Sequence, residues 1–134
     1  GFWRLGFKIT GAGTFVHAAN QLCYVNYVPN AEEISDYIES YEGRIGPVTL
    51  WFKKYPESLA SVDPKLAEID KPVLIFWGAQ DQLLLVDNAQ RLSERLKRSK
   101  LHVFERCGHF SYQDQHQQFA DVVKDWVTGG YKQV

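Results

Sequence analysis

The sequence predicts an α/β fold in which a short parallel sheet follows a helical region, and two observations support this prediction. In the second half of the chain, two short apolar runs suited to buried strands alternate with two amphipathic helical patterns. In the first half, which is rich in aromatic side chains, the apolar residues recur with helical spacing. We therefore predict a helical region over residues 1–62 and an α/β region over residues 63–134.

One helix of the first region is predicted to start at Asn30, which forms the pattern of a capping box with Glu33. Its apolar stripe has the spacing i, i+3, i+4 and i+7 and consists of Ile34, Tyr37, Ile38 and Tyr41. Gly43 is expected to end this helix, and a further helix is expected to begin at Pro47.

The first predicted strand is the unbroken apolar run Pro72–Trp77, which has the composition of a strand buried on both faces of a parallel sheet. A helix with Asp87 and Gln90 as its capping pattern follows, and then a second strand over Leu101–Glu105. The stripe of the last helix consists of Phe119, Val122, Val123 and Trp126. A strand, helix and strand of these lengths predict a parallel pair.

Two parallel strands cannot bury both faces and both edges by themselves, so the predicted sheet needs further strands. The helical region does not supply them. The expected partner is a missing N-terminal half of the protein or a second copy of the chain. Because the chain starts at Gly1 and contains no Met, we expect it to be a fragment that lacks this N-terminal half.

Composition and charge exclude several classes of protein. The formal net charge of −1 argues against a general nucleic-acid binder, and the longest apolar runs are far too short to cross a bilayer. The 2 cysteines, Cys23 and Cys107, provide neither the spacing of a metal site nor a disulfide framework. We therefore expect no metal, no membrane partner and a cytoplasmic location.

Two residues with catalytic chemistry follow the two predicted strands. Asp81 comes after the first strand and His109 after the second. Because the carboxyl ends of parallel strands meet at one edge of the sheet, the carboxylate and the imidazole are expected to pair. Such a carboxylate holds the imidazole in the tautomer that acts as a base. Asp87 is the competing acid, but its place before a helical pattern is better explained as an N-cap.

These residues resemble the C-terminal part of an α/β-hydrolase with a helical cap. Lys71–Asp81 resembles the seventh strand and acid loop of that family, and Cys107–Asp114 resembles its histidine loop and the start of its final helix. The fold class is thus predicted to be α/β, with the last two strands and helices of the hydrolase sheet. The resemblance implies a catalytic nucleophile, acid and histidine in that chain order, with no cofactor.

No serine in the sequence stands in a G-x-S-x-G pattern, so the nucleophile is expected to lie outside this chain. The resemblance implies hydrolysis of an ester or similar bond in a small hydrophobic substrate. A catalytic Cys107 is rejected, because a Cys and a His separated by one Gly would need an unusual turn to pair. We expect the chain alone to be inactive.

The cap of such hydrolases covers the catalytic pocket, so the resemblance implies substrate contacts for Phe110, Trp51 and Phe52. Gly46–Lys53 is similar to the caps of epoxide hydrolases and dehalogenases, which use an Asp nucleophile. Phe52 stands where epoxide hydrolases usually carry a Tyr that donates to the epoxide oxygen, and it cannot donate. If the helix were turned differently, Tyr37, Tyr41 or Tyr55 would take the place of this donor. A non-catalytic receptor on the same fold is the alternative from another functional class.

Overall fold

The computed structural model describes the backbone of residues 2–131, and the side chains of this range except those of residues 2–9, 49 and 51–54. The α-helices are α1 (Phe2–Cys23), α2 (Ala31–Tyr41), α3 (Ile45–Val62), α4 (Asp87–Arg95), α5 (Ser111–Asp114) and α6 (His116–Thr128). The strands are β1 (Val73–Gly78) and β2 (Ser99–Phe104), and a 3₁₀ helix covers Asp63–Glu68. No helix in this described part is both long and apolar enough to span a bilayer.

The chain forms two compact units, which we call the helical unit and the sheet unit. The helical unit consists of Gly1–Gln21 and Val28–Asp63. The sheet unit consists of Leu22–Tyr27 and Pro64–Val134, so it includes the last two residues of α1 and the four residues after it. The predicted division of the chain at residue 62 stays a prediction.

The predicted capping box of α2 is confirmed in the helical unit. The side-chain oxygen of Asn30 accepts a hydrogen bond from the backbone N–H of Glu33 at 3.0 Å, and the Glu33 carboxylate accepts one from the backbone N–H of Asn30 at 2.8 Å. The helix ends at Tyr41, and Gly43 follows with φ +68°, a conformation that glycine adopts without steric cost. The predicted end of this helix is therefore also confirmed.

Helix α3 begins at Ile45, two residues before the predicted start at Pro47. Its first turn is closed by the backbone N–H of Val48, which donates to the carbonyl of Arg44 at 3.0 Å. Pro47 lies within this first turn, where backbone N–H groups have no acceptor within the helix, so the N–H that proline lacks is not missed. The proline therefore marks the first turn of the helix rather than its first residue.

Helices α1 and α2 contact each other through aromatic and small side chains. The rings of Phe15 and Tyr41 meet edge to face with 5.0 Å between their centroids. Val16 on α1 and Ile45 on α3 are buried. Helix α1 is kinked at Gly11, whose φ of 81° is not helical. The helical character predicted for this region is thus confirmed.

The sheet unit contains a parallel pair of strands, as predicted. In its register, Ile75 lies beside Leu101 and Gly78 beside Phe104. Strand β1 begins one residue after the predicted start, because Pro72 has no N–H to donate. Strand β2 begins at Ser99, two residues before the predicted start. The predicted α/β class is confirmed.

Both faces of the two strands are covered by helices. On one face, the buried side chains of Ile75, Ala89 and Leu96 form a core with α4. On the other face, the ring of Phe119 on α6 lies 4.5 Å from that of Phe76 and 6.4 Å from that of Phe104. Alternate residues of β1 therefore face opposite layers, as the period of a strand requires.

The predicted capping box of Asp87 and Gln90 is wrong. Val86 is the N-cap of α4, no side chain caps the helix, and Asp87 is its first residue. Two of the first N–H groups are satisfied by the preceding turn instead, since Asn88 donates to the carbonyl of Leu85 and Ala89 to that of Val86, each at 2.9 Å. Asp87 still stabilises this end of the helix, because a negative charge interacts favourably with the helix dipole there.

The capping box of α2 yields a measurable prediction. Replacing Asn30 with Ala removes the acceptor of the Glu33 N–H and should lower the free energy of unfolding by about 1 kcal/mol. Asn30→Ser is the matched control, because serine caps helices about as well as asparagine. Urea unfolding checks the pair, and equal midpoints for the two variants would contradict the assigned cap.

Candidate active site

The loops that follow β1 and β2 begin side by side. Beyond the end of β1, the backbone N–H of Ala79 still donates to the carbonyl of Phe104, the last residue of β2, at 2.9 Å. Because the strands are parallel, both loops leave from the same edge of the sheet. This arrangement carries Asp81 and His109 towards each other.

The side chains of Asp81 and His109 are in direct contact. The distance between Oδ2 of Asp81 and Nδ1 of His109 is 2.8 Å. A carboxylate only accepts hydrogen bonds, so Nδ1 carries the proton and Nε2 is left as the basic nitrogen. The Asp81 side chain is 4% exposed and that of His109 is 28% exposed. The imidazole is therefore accessible while its carboxylate partner is shielded from water.

The second carboxylate oxygen of Asp81 is held by its own loop. Oδ1 accepts hydrogen bonds from the backbone N–H groups of Leu83 at 2.8 Å and Leu84 at 3.0 Å. The carbonyl of Leu84 in turn accepts the indole N–H of Trp77 at 2.7 Å. The loop thus fixes the orientation of the carboxylate that contacts His109.

The backbone of the histidine loop lies against the C-terminal end of α1. The N–H of His109 donates to the carbonyl of Cys23 at 2.7 Å. At Gly108, a Cβ atom would overlap with the carbonyl of Cys23, so only glycine permits this approach. The Gly-His step singled out in the sequence therefore has a steric cause. It lets the chain pass close to Cys23 immediately before His109.

Asp114 at the end of α5 is a second buried carboxylate next to the histidine loop. It accepts hydrogen bonds from the backbone N–H groups of Gly108 at 2.7 Å, Val25 at 2.9 Å, Asn26 at 2.6 Å and Tyr27 at 2.8 Å. Burial alone would raise the pKa of the Asp114 carboxyl, but these hydrogen bonds outweigh burial and lower it below its usual value.

Sequence reasoning missed Asp114 and the segment Leu22–Tyr27. An acidic residue at the start of a helical pattern is ordinarily a surface or capping residue, and nothing in its neighbours marks it as buried. Three of its four partners are more than 80 residues away in sequence. The only available signal was its place within the Cys107–Asp114 motif.

Cys107, which the sequence argues against as a nucleophile, is a buried thiol. It is fully inaccessible, and burial together with the charges of Asp114 and Asp81 raises its pKa to about 12. Burial and the charge of Asp81 raise the pKa of Cys23 to about 11. Both cysteines are free thiols. Neutral thiols of this kind are poor nucleophiles.

The residues predicted to contact substrate lie in different parts of the chain. The half-buried Phe110 follows the histidine, with its ring centroid 5.2 Å from that of His109 and 5.5 Å from that of Tyr24. The side chains of Trp51 and Phe52 lie outside the described residues, so their predicted contacts stay predictions. The structure therefore places only Phe110 beside His109.

The other titratable residues that could be catalytic do not belong to the pair of Asp81 and His109. Asp87 is exposed at the start of α4, and His17 and His116 are exposed on helices. The ring of His102 within β2 packs edge to face on Phe104, and burial and the charge of Lys100 lower its pKa. The three histidines therefore have structural or surface positions, and Asp87 is the first residue of α4 and not the N-cap that the sequence predicts.

A cavity of about 530 Å³ lies within the helical unit. Its lining includes Gly13, Ile38, Glu42 and Ile45, and all of its described lining residues belong to that unit. In the part of the chain that the structure describes, no group of three or more His, Cys, Asp or Glu side chains could hold a metal ion.

Comparison with known sequences identifies relatives among hydrolases. The chain is 28% identical over 107 residues to 2-hydroxy-6-oxo-6-phenylhexa-2,4-dienoate hydrolase of Burkholderia cepacia, a match that covers 80% of the chain and 34% of the relative. It is 32% identical over 73 residues to 2-hydroxy-6-oxononadienedioate/2-hydroxy-6-oxononatrienedioate hydrolase 1 of Dechloromonas aromatica (strain RCB), with 54% of the chain and 25% of the relative covered. The chain thus matches about a third or less of these relatives' lengths.

A solved structure shows the same fold. The esterase EaEST from Exiguobacterium antarcticum superimposes with a TM-score of 0.68 over 93% of this chain and 46% of the esterase, at 17% sequence identity. The family model of the alpha/beta hydrolase fold matches residues 3–115. The chain belongs to the alpha/beta hydrolase fold family.

The raised pKa values of the two cysteines predict their reactivity. At pH 8 only about one in a thousand Cys23 thiols, and fewer of Cys107, would be ionised in the folded protein. We expect neither thiol to react with Ellman's reagent until denaturant is added, after which both react. Rapid reaction of either thiol in the folded state would contradict its assigned burial.

Proposed function

We propose that Asp81 and His109 are the acid and the base of a hydrolase whose nucleophile lies on another segment of polypeptide. The single observation that carries this proposal is the 2.8 Å contact between Oδ2 of Asp81 and Nδ1 of His109, with the imidazole accessible and the carboxylate shielded. Membership in the alpha/beta hydrolase fold family supports it. The proposed reaction is hydrolysis through a covalent intermediate.

In this mechanism His109 transfers protons through Nε2. It removes the proton of a serine hydroxyl as the oxygen attacks a substrate carbonyl, and it then donates that proton to the leaving group. It next removes a proton from water as the water attacks the covalent intermediate, and it returns this proton to the serine oxygen as the bond to that oxygen breaks and the second product leaves. Asp81 holds the imidazole in place and stabilises the imidazolium form through its charge.

The substrate class is proposed from the relatives and from Phe110. Both relatives described above are named for unsaturated 2-hydroxy-6-oxo carboxylates, in one case dicarboxylates, and the 6-oxo group is a carbonyl of the kind that this mechanism requires. The ring of Phe110 beside His109 supports a mainly apolar substrate. We propose a small carbonyl compound of this class or a small hydrophobic ester, with Trp51 and Phe52 as further contacts and no cofactor.

Replacing the two proposed catalytic residues should abolish turnover in the full polypeptide that contains this chain. Asp81→Asn removes the acceptor that selects the tautomer and should lower kcat by about four orders of magnitude. His109→Gln removes the base and should have an effect at least as large. Assays with a p-nitrophenyl ester and with 2-hydroxy-6-oxo-6-phenylhexa-2,4-dienoate measure the loss.

Matched controls are available for both substitutions. Asp87→Asn removes an exposed carboxylate from the neighbouring loop end, and His116→Gln removes an exposed imidazole from α6. Both controls should keep full activity. Activity that survives His109→Gln would overturn the proposal, and ligand binding without any turnover would favour the receptor alternative.

A fluorophosphonate probe distinguishes the two possible nucleophiles. An activated serine gains one adduct, seen by intact mass, and the adduct depends on His109. An active enzyme that forms no adduct would favour an Asp nucleophile, as in epoxide hydrolases and dehalogenases. Phe52 stands against epoxide opening in particular, because it has no hydroxyl to donate.

We also propose that the β1 edge not paired with β2 is completed by further strands, from the remaining hydrolase segment or from a second copy of this chain. In the described part of the chain the sheet has only two strands, and an unpaired edge is a template for association. The free state of both thiols suits the proposed cytoplasmic location.

The isolated 134-residue chain should therefore self-associate and show no hydrolase activity. Adding the separately expressed remaining segment should replace self-association with a mixed complex and restore turnover. Sedimentation and the ester assay measure the two effects. Turnover by the isolated chain that depends on His109 would contradict the proposed location of the nucleophile, and a strictly monomeric folded chain would contradict the open edge.

A further inference from the structure

The Asp114 carboxylate joins two segments that are far apart in sequence. Its oxygen Oδ1 accepts the N–H groups of Asn26 and Tyr27, and Oδ2 accepts those of Val25 and Gly108. The side chain is 5% exposed, so water contributes little to these interactions. Buried hydrogen bonds to a carboxylate are among the stronger ones in proteins, and four of them fix the position of both segments.

The same two segments meet at the backbone of His109. The N–H of His109 donates to the carbonyl of Cys23 at 2.7 Å, and that of Phe110 approaches the same carbonyl at 3.4 Å. One residue earlier, the N–H of Gly108 donates to Asp114. The peptide groups on both sides of Gly108 are therefore held by Cys23 and Asp114, which leaves the His109 backbone little freedom.

A further contact links these segments outside the carboxylate. The side-chain amide of Asn26 donates to the carbonyl of Arg106 at 2.5 Å, and the side-chain amide of Gln115 donates to the same carbonyl at 2.6 Å. The loop before His109 is thus tied to the segment after α1 and to the residue after α5. Neither of these two hydrogen bonds involves the Gly108 N–H, which is bound by Asp114.

The arrangement requires a carboxylate and not an amide. Both oxygens of Asp114 accept two N–H groups each, whereas an asparagine has one accepting oxygen and one NH₂ group that only donates. In Asp114→Asn, two of the four buried N–H groups would therefore face a donor. Either the histidine loop or the segment after α1 would have to move away.

We propose that Asp114 is a positioning residue for His109, which holds the Gly108 peptide so that the imidazole stays in contact with Asp81. It does not touch the imidazole and acts only through the backbone next to it. Its effect on turnover rests on the proposed function of His109, but its effect on the contact between His109 and Asp81 does not. Loss of this positioning of the His109 backbone should lower kcat much more than it changes KM.

The test uses the full polypeptide that contains this chain, with Asp114→Asn, the conservative variant Asp114→Glu, and Asp121→Asn as control. Asp121 is exposed on α6, so its variant makes the same chemical change outside the contact. The first readout is the low-field proton resonance of the His109 Nδ1–H group, identified by its loss in His109→Gln. The second is kcat and KM on the substrate that the enzyme turns over.

We expect Asp121→Asn to keep the resonance and full activity. Asp114→Asn should lose or broaden the resonance at a temperature where circular dichroism shows a folded protein, with kcat lowered about 100-fold and KM changed less than about threefold. Asp114→Glu keeps the charge and both accepting oxygens, so it should retain part of the resonance and part of kcat. Loss of the resonance in Asp114→Asn while His109→Gln remains active would support the positioning role and refute the proposed function.

If Asp114→Asn does not fold, Gly108→Ala provides a second test, because it displaces the same loop while the Asp114 carboxylate stays in place. Its Cβ would overlap with the carbonyl of Cys23, so the loop must shift and the same loss of resonance and kcat is expected. Retention of the resonance and of kcat in the folded variants, with only a lower melting temperature, would overturn the proposal. Asp114 would then be a purely structural residue.

Discussion

The parallel pairing of β1 and β2 is the constraint on which the rest of the site depends. Because both strands run in the same direction, the loops after them leave from one edge of the sheet, and Asp81 and His109 need only short loops to meet. The helices on the two faces supply the apolar contacts that keep the strands in register, through Ile75 on one face and Phe76 on the other. An antiparallel pair would place the two loops at opposite ends.

Two buried carboxylates serve this site in different ways. Asp81 is held by N–H groups two and three residues away and directs its free oxygen at the imidazole. Asp114 is held mainly by N–H groups more than 80 residues away and never reaches the imidazole. The first carboxylate orients the side chain of His109, and the second holds the backbone that carries it. In both carboxylates each oxygen accepts at least one hydrogen bond, as the burial of a charged group requires.

The fold class and most helices and strands were predictable because they depend on local patterns. The capping box at Asn30 and the apolar run of β1 are each complete within a few residues, and both are found where the sequence predicts them. The capping box at Asp87 has the same local pattern but does not form, because the preceding turn already satisfies the first N–H groups of α4. A cap therefore depends on competing acceptors that a sequence pattern does not include.

The sequence by itself determined the order of strands and helices, the parallel pair and the meeting of Asp81 with His109. Strand direction brings the loops that carry those two side chains to the same edge of the sheet. Only the tertiary structure decided that Asp114 is buried and that the carbonyl of Cys23 receives the His109 N–H. Each of these interactions has a backbone N–H or carbonyl of a distant segment as a partner, and such groups are the same in every residue except proline. The sequence therefore does not record which distant segment supplies that partner.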